Sequence, residues 1–230
     1  MEIKKDWWKF LSIVLVLTAI IGGMLIPVPR LAILNETIRN LFYHVTMWFA
    51  MMILMTGSVF YSIKHLRSFD VMDDAKARIS AEAGLVMGVL GLVTGSVWAK
   101  FTWGAYWVND PKLNGAAVTI LVYLAYMILR NSLPEERQRG RISAVYNIFA
   151  YVLLMVFLMI LPRMTDSLHP GSGGNPAFSN YDLDDTMRII FYPAIIGWTL
   201  FAAWFAQLKF RLFKLNYKLE SDLFDLKQPS

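Results

Sequence analysis

Apolar and polar positions alternate along this chain in long blocks rather than residue by residue. Six apolar runs extend from Trp8 to Ile26, Leu41 to Ile63, Ala81 to Ala99, Ala116 to Leu129, Ile142 to Leu161 and Ile189 to Leu208, each bounded by charged or Gly- and Pro-containing stretches. A helix that crosses a bilayer needs about 20 mostly apolar residues, because hydrocarbon offers the backbone no hydrogen-bond partners outside the helix itself. The runs therefore predict an all-α integral membrane protein, a six-transmembrane-helix bundle forming one domain over residues 1–230. The fourth run is short and borrows residues from its flanks.

Charge orients this bundle. The basic residues Arg30, Arg39, Lys100, Lys112, Arg163 and Arg188 fall on one side, and the remaining basic residues of the 22 in the chain fall on the other. Lys and Arg favour the cytoplasmic side of short loops. The reading places both termini and the "RNSLPEERQRGR" connector in the cytoplasm, with the first run kept as a span rather than cleaved as a signal peptide. A composition of 57% hydrophobic and 17% charged residues fits no soluble domain of this size. The formal charge of +5 follows from the basic cytoplasmic rim and points to no nucleic acid. With no cysteine, disulfides, thiolate metal sites and thiol redox chemistry are excluded.

Within that topology the unusual residues gather outside. The segment 101–115 contains "WGAYWVNDPKLNG", Trp103 to Gly115, between the third and fourth spans. If its first turns are helical, Trp103, Trp107 and Asp110 share one face and Pro111 ends the helix. Such a tryptophan pair also suits an aromatic belt at the lipid headgroups, but a belt requires no aspartate in register. Two of the three histidines lie on the same side: His44 near the outer end of the second span, and His169 in the long outer loop 162–188 with Pro170, Gly171, Gly173, Gly174 and Pro176. An ionisable group inside a span is by default a functional hypothesis. His65, at the cytoplasmic end, reads as a solvated interfacial residue.

Two stripes read as packing. Met47, Met51 and Met55 follow His44 along one helix face, where adaptable core filling outweighs a copper path. Gly84, Gly88, Gly91 and Gly95 give the third span a face on which a neighbouring helix can lie close. No phosphate-binding loop, hydrolase constellation or internal repeat is present.

The segment "WGAYWVND", flanked by "LFYHV" and "SLHPG", resembles the tryptophan-rich WWD signature of the haem-handling proteins of cytochrome c maturation. With six spans and this size the likeness is to the haem exporter protein C (CcmC) branch of the CcmC/CcmF/CcsA family, over nearly the whole chain. The resemblance implies a haem-binding inner-membrane protein that presents haem b, as cargo, at the periplasmic face. It implies transfer to a membrane-anchored haem chaperone (CcmE-like), together with ABC-transporter subunits (CcmA/CcmB-like), and no enzymatic bond making. It further implies that His44 and His169 are axial ligands to the haem iron and that Trp103, Gly104, Trp107 and Asp110 form the platform. The chain departs from the family pattern at Asn109, often Trp, and at Pro111, Lys112, Leu113 and Asn114. The alternative is a CcsA-type cytochrome c synthase, although those proteins usually carry more spans and histidines.

Overall fold

The computed structural model describes residues 3–30, 34–169 and 183–226. Pro170, Gly171, Gly173, Gly174 and Pro176 of the loop 162–188 lie outside the described residues, as do Lys227 and the side chains of Lys4, Lys5 and Arg163.

Helix α1 (Ile3–Leu17) continues through one wide turn, Thr18–Gly22, into Gly23–Leu25. A 3₁₀ turn, Asn35–Asn40, leads into α2 (Leu41–Ser68), followed by α3 (Val71–Trp103), α4 (Pro111–Ser132), α5 (Glu136–Met155) and α6 (Asp185–Leu226). Among the described residues six helical stretches are long and apolar enough to cross a membrane, which bears out the predicted class. They run alternately up and down, so the described residues form a bundle with two distinct ends.

The glycines of α3 decide how its neighbour α2 packs. A Cβ built on Gly84 would touch the Met55 side chain, one on Gly88 the Met51 sulfur at 2.5 Å, one on Gly91 the Trp48 indole, and one on Gly95 would strike the His44 ring. Four side chains from successive turns of α2 thus sit on four glycines of the antiparallel α3. Close backbone approach substitutes here for the hydrophobic driving force that lipid removes. Met51 and Met55 are fully buried in this seam, so their role is packing. On the opposite side α1 lies against α6, where the Ser12 hydroxyl donates to the Gly197 carbonyl.

Two expectations change. Helix α3 begins at Val71 rather than near Ala81, with charged residues inside it. Asp70 caps it by accepting from the Met72 N–H at 2.9 Å. Asp73 pairs with Lys64 and Lys76, and Asp74 accepts both terminal nitrogens of Arg130, Nη1 at 2.8 Å, where both residues are buried. Neutralised this way, the charges pack instead of forming a solvated connector.

His65 is the second change. It is 5% exposed, its Nδ1 lies 2.9 Å from the Asp70 carbonyl, and its ring faces Gly140 of α5. The α2–α3 connection is only Phe69 and Asp70, with Phe69 in the left-handed region at φ 57°, so α3 folds straight back over the histidine. That tight return is why a residue expected in solvent is enclosed.

Candidate functional site

His44 stands one turn into α2, and α3 fixes it from the side. Its ring occupies the space left by Gly95, and its Nδ1 lies 2.8 Å from the Gly91 carbonyl. A carbonyl oxygen only accepts, so the proton sits on Nδ1 and the lone pair on Nε2. Trp48 and Trp98 meet the ring edge-on, at centroid distances of 6.4 and 5.9 Å. Trp98 is itself held by its indole N–H to Thr37 Oγ1 at 3.1 Å.

The tryptophan segment is not a continued helix. Helix α3 stops at Trp103, and Gly104 adopts φ 83°, a left-handed cap that any side chain would strain. Pro111 does not end a helix but opens one. It occupies the first turn of α4, where its missing N–H costs nothing, and Asp110 is the residue that caps that helix. Asp110 Oδ1 accepts from the N–H groups of Lys112 at 2.9 Å and Leu113 at 3.4 Å. The shared helical face predicted for Trp103, Trp107 and Asp110 is therefore absent, because glycine and proline impose a turn between them.

The turn brings the segment onto His169. Asp110 Oδ1 is 3.0 Å from His169 Nδ1, and Oδ2 accepts from the Ser167 hydroxyl at 2.9 Å and the Leu168 N–H at 2.8 Å. Trp103 meets the His169 ring edge-on at 4.9 Å. Asp110 is 1% exposed. Its burial opposes ionisation, yet the Leu168 and Ser167 donors and the neighbouring histidine outweigh that and hold its carboxyl below the usual carboxylate range. Burial also lowers His169, to about 4, against the opposing pull of Asp110. The imidazole is therefore neutral at neutral pH, protonated on Nδ1 toward the carboxylate, with Nε2 free to act as a ligand.

Both imidazoles line one cavity of about 200 Å³ between the ends of α2, α3, α4 and α5. Trp48, Trp98, Trp103, Trp107, Phe49 and Phe157 give it broad aromatic walls, and Leu41, Leu92 and Leu158 complete the apolar lining. The α5 wall is a wide turn, Val156–Ile160, an irregularity that bundles concentrate at functional sites. Gly115 of α4 lets it approach, since a Cβ there would meet the Phe157 carbonyl at 2.9 Å.

Lys112 is the cation at the cavity wall. Of the other basic residues at this end of the bundle, Lys100 donates to the Gly104 carbonyl at 2.8 Å and Arg188 pairs with Asp185 at 3.3 Å. The site therefore offers ring-stacking surface, two nitrogen ligands with their second nitrogens already bonded, and a nearby cation. Chemically that suits a flat apolar molecule carrying a metal centre and an anionic edge.

Of the predicted site residues, His44, His169, Trp103 and Trp107 all line the cavity. Gly104 shapes the turn, and Asp110 lies behind His169 rather than on the wall. The contributions of Trp48, Gly91, Gly95 and Ser167 were missed. Trp48 was visible in principle, one helical turn beyond His44, whereas Ser167 acts through a loop contact that no spacing reveals.

A helical, multi-pass membrane protein with a two-histidine, tryptophan-walled pocket at one end is the class these observations define. Residues 2–223 match the family model of heme exporter protein C, CcmC, and the chain belongs to that family. It is 25% identical over 162 residues to heme exporter protein C of Paracoccus denitrificans, covering 67% of this chain and 64% of that one. It is 28% identical over 131 residues to heme exporter protein C of Escherichia coli K12, covering 57% and 51%. Similarity extends to the cytochrome c biogenesis protein CcsA of Gloeothece citriformis, 31% over 108 residues, covering 47% of this chain and 32% of the relative. The matched region thus spans less than two thirds of each of these relatives.

Proposed function

We propose that this chain binds haem b as cargo at the Trp103 end of the bundle, with His44 and His169 as the iron ligands, and presents it for transfer during cytochrome c maturation. The observation that carries this reading is the matched state of the two histidines. Each commits Nδ1 to a fixed acceptor, a backbone carbonyl for His44 and a carboxylate for His169, and each reaches the same apolar cavity. Metal-bound histidines are held in this way, the second nitrogen's bond setting ring direction and tautomer. Trp107 and the other aromatic walls supply stacking surface for the macrocycle. Lys112 supplies a cation for a propionate. Among the described residues no three His, Asp or Glu side chains converge, so a bare metal ion would lack ligands that a porphyrin brings with it.

Both termini then lie in the cytoplasm of a bacterial inner membrane and the pocket faces the periplasm, by the distribution of basic residues. There a membrane-anchored haem chaperone receives the cargo, with ABC-transporter subunits as further partners. The chain's own role is delivery. A synthase role is the second reading, favoured by the similarity to CcsA; incubation with an apocytochrome separates the two, since only a synthase yields covalently attached haem without other proteins.

The direct test is the absorption spectrum of the purified protein and of His44→Ala, His169→Ala and His65→Ala. The expected result is a low-spin spectrum that is lost at the first two, partly restored by added imidazole, and unchanged at the third. An unchanged low-spin spectrum in either of the first two variants overturns the ligand pair.

A further inference from the structure

The signature aspartate does not face the cavity, and this changes what the tryptophan segment is for. A carboxylate carries about four acceptor positions. Asp110 meets five donors within hydrogen-bonding reach: the N–H groups of Lys112 and Leu113 in its own helix, and the Ser167 hydroxyl, the Leu168 N–H and the His169 imidazole across the gap. Almost nothing of it is left for a ligand.

We propose that Trp103, Gly104 and Asp110 act together as a seat for His169: Gly104 and Asp110 are positioning residues for one ligand, not a platform in contact with haem, and Trp103 packs on that ligand while also forming part of the cavity wall. The inference rests on the function proposed above. Gly104 turns the chain out of α3, Pro111 starts α4, and Asp110 is left at the helix start with one oxygen turned to its own backbone and the other to residues 167 and 168. Trp103, the last residue of α3, closes on the imidazole from another direction at 4.9 Å. The segment before His169 carries no helix of its own, since Thr165 to His169 are irregular. Without the carboxylate, the Leu168 N–H, the Ser167 hydroxyl and His169 Nδ1 each lose an acceptor, and the imidazole loses both its direction and the bond that keeps its proton on Nδ1.

Of the four predicted segment residues, Trp103 and Trp107 line the cavity; Trp103 also packs on His169, which leaves a purely cavity-facing role to Trp107. It is 44% exposed and bonded through its indole N–H only to Asn114, at 3.3 Å. A division of labour within eight residues follows: Asp110 holds a ligand from behind, Trp103 packs on that ligand from the cavity wall, and Trp107 meets the cargo.

The test separates holding from capping. Asp110→Ser keeps an N-cap oxygen for α4 but has no second oxygen for residues 167 and 168. Asp110→Asn has a single acceptor oxygen, so its NH₂ group faces either the Leu168 N–H or the first N–H groups of α4, donor against donor. Ser167→Ala leaves the cap and the carboxylate intact and removes the hydroxyl that donates to Asp110 and accepts from the His169 backbone N–H. Each is purified with haem, and its spin state is read by absorption and electron paramagnetic resonance. Each is also prepared without haem, and diethyl pyrocarbonate modification of the three histidines is followed by mass spectrometry.

Asp110→Ser and Asp110→Asn are expected to convert low-spin haem to a high-spin, five-coordinate form with His44 still bound, and imidazole restores the low-spin spectrum. In the haem-free protein, His169 modification rises at least about fivefold, the smallest change that losing one buried acceptor implies, while His44 and His65 keep their rates. Ser167→Ala shifts both readouts the same way by less. A low-spin spectrum in Asp110→Ser together with an unchanged His169 rate overturns the seat. So does loss of haem that imidazole does not restore at unchanged His44 and His65 rates, because that marks Asp110 as a haem contact. If the wild-type protein binds no haem, the functional reading fails, while the modification rates of the haem-free proteins still decide whether Asp110 holds His169.

Discussion

His44 and His65 sit at opposite ends of the same helix, α2, and are held almost identically. In each, Nδ1 bonds to a backbone carbonyl, Gly91 for one and Asp70 for the other. In each, a glycine of a neighbouring helix makes room for the ring, Gly95 of α3 and Gly140 of α5. What differs is the surroundings of the other nitrogen. His44 lines an aromatic cavity, whereas His65 Nε2 is enclosed, 2.5 Å from where a Gly140 Cβ would lie. A fixed imidazole is therefore not in itself a ligand. It becomes one when its second nitrogen opens on a space shaped for a guest, and the end without such a space uses the same residue type as structure.

The sharpest way to break the comparison is at the structural end. Arg130 and Asp74 are buried against each other, and removing one partner strands a charge. Arg130→Met is expected to destabilise the protein by about 3–5 kcal/mol, read as thermal unfolding in detergent, while the double change Arg130→Met with Asp74→Leu recovers most of it. Haem bound per folded molecule should not change in either variant. A fall in haem occupancy of the folded fraction would show that the two ends are coupled.

Next come the two glycines, exchanged one at a time for alanine. Gly95→Ala places a methyl inside the His44 ring position, so it is expected to abolish low-spin haem ligation at the His44 side with little loss of fold. Gly140→Ala drives a methyl against His65 and should cost about 1–3 kcal/mol of stability, the usual cost of overpacking, with the haem spectrum intact. Opposite signatures sustain the distinction between the ends. If Gly95→Ala keeps a wild-type spectrum, His44 is not fixed by the glycine seam.

Much of this architecture was legible along the chain, for reasons that differ by region. The spans follow from apolar runs, and the glycine stripe of α3 announced a close neighbour because only missing side chains permit one. His44 and His169 were marked by rarity and by shared location. The turn at Gly104–Pro111 was misread because Pro111 both stops and starts helices, and the aspartate before it decides which: Asp110 followed by Pro111 is a helix start. His65 reads as solvated and Arg130 as part of the cytoplasmic connector because charge at a span's end usually meets water, and the partner that buries Arg130, Asp74, is separated from it by a whole helix hairpin. Pairings across that distance leave no local periodicity to read.

The smallest effect distinguishes His169 from an ordinary surface histidine by pH. Its burial lowers it to about 4, whereas an unfolded or solvated histidine titrates near its ordinary value of about 6.5. The sign follows from the protons bound. Between about 6.5 and about 4 the unfolded chain holds a proton at this site that the folded chain lacks, so the seat is fully favoured above 6.5, weakens as pH falls through that window and changes no further below about 4. Because Nδ1 already carries its proton toward Asp110, the incoming proton goes to Nε2, the atom assigned to iron, and competition with the ligand bond starts only near the bottom of the window. In haem-free protein carrying ¹³C-labelled histidine, the His169 resonance is expected to stay flat from pH 8 to pH 5 and to turn near 4. In Asp110→Ser, release of the ring to solvent removes the burial that lowers it, and the midpoint moves up toward 6.5. A wild-type midpoint already near 6.5 would mean that His169 is solvated and that neither Asp110 nor Trp103 seats it.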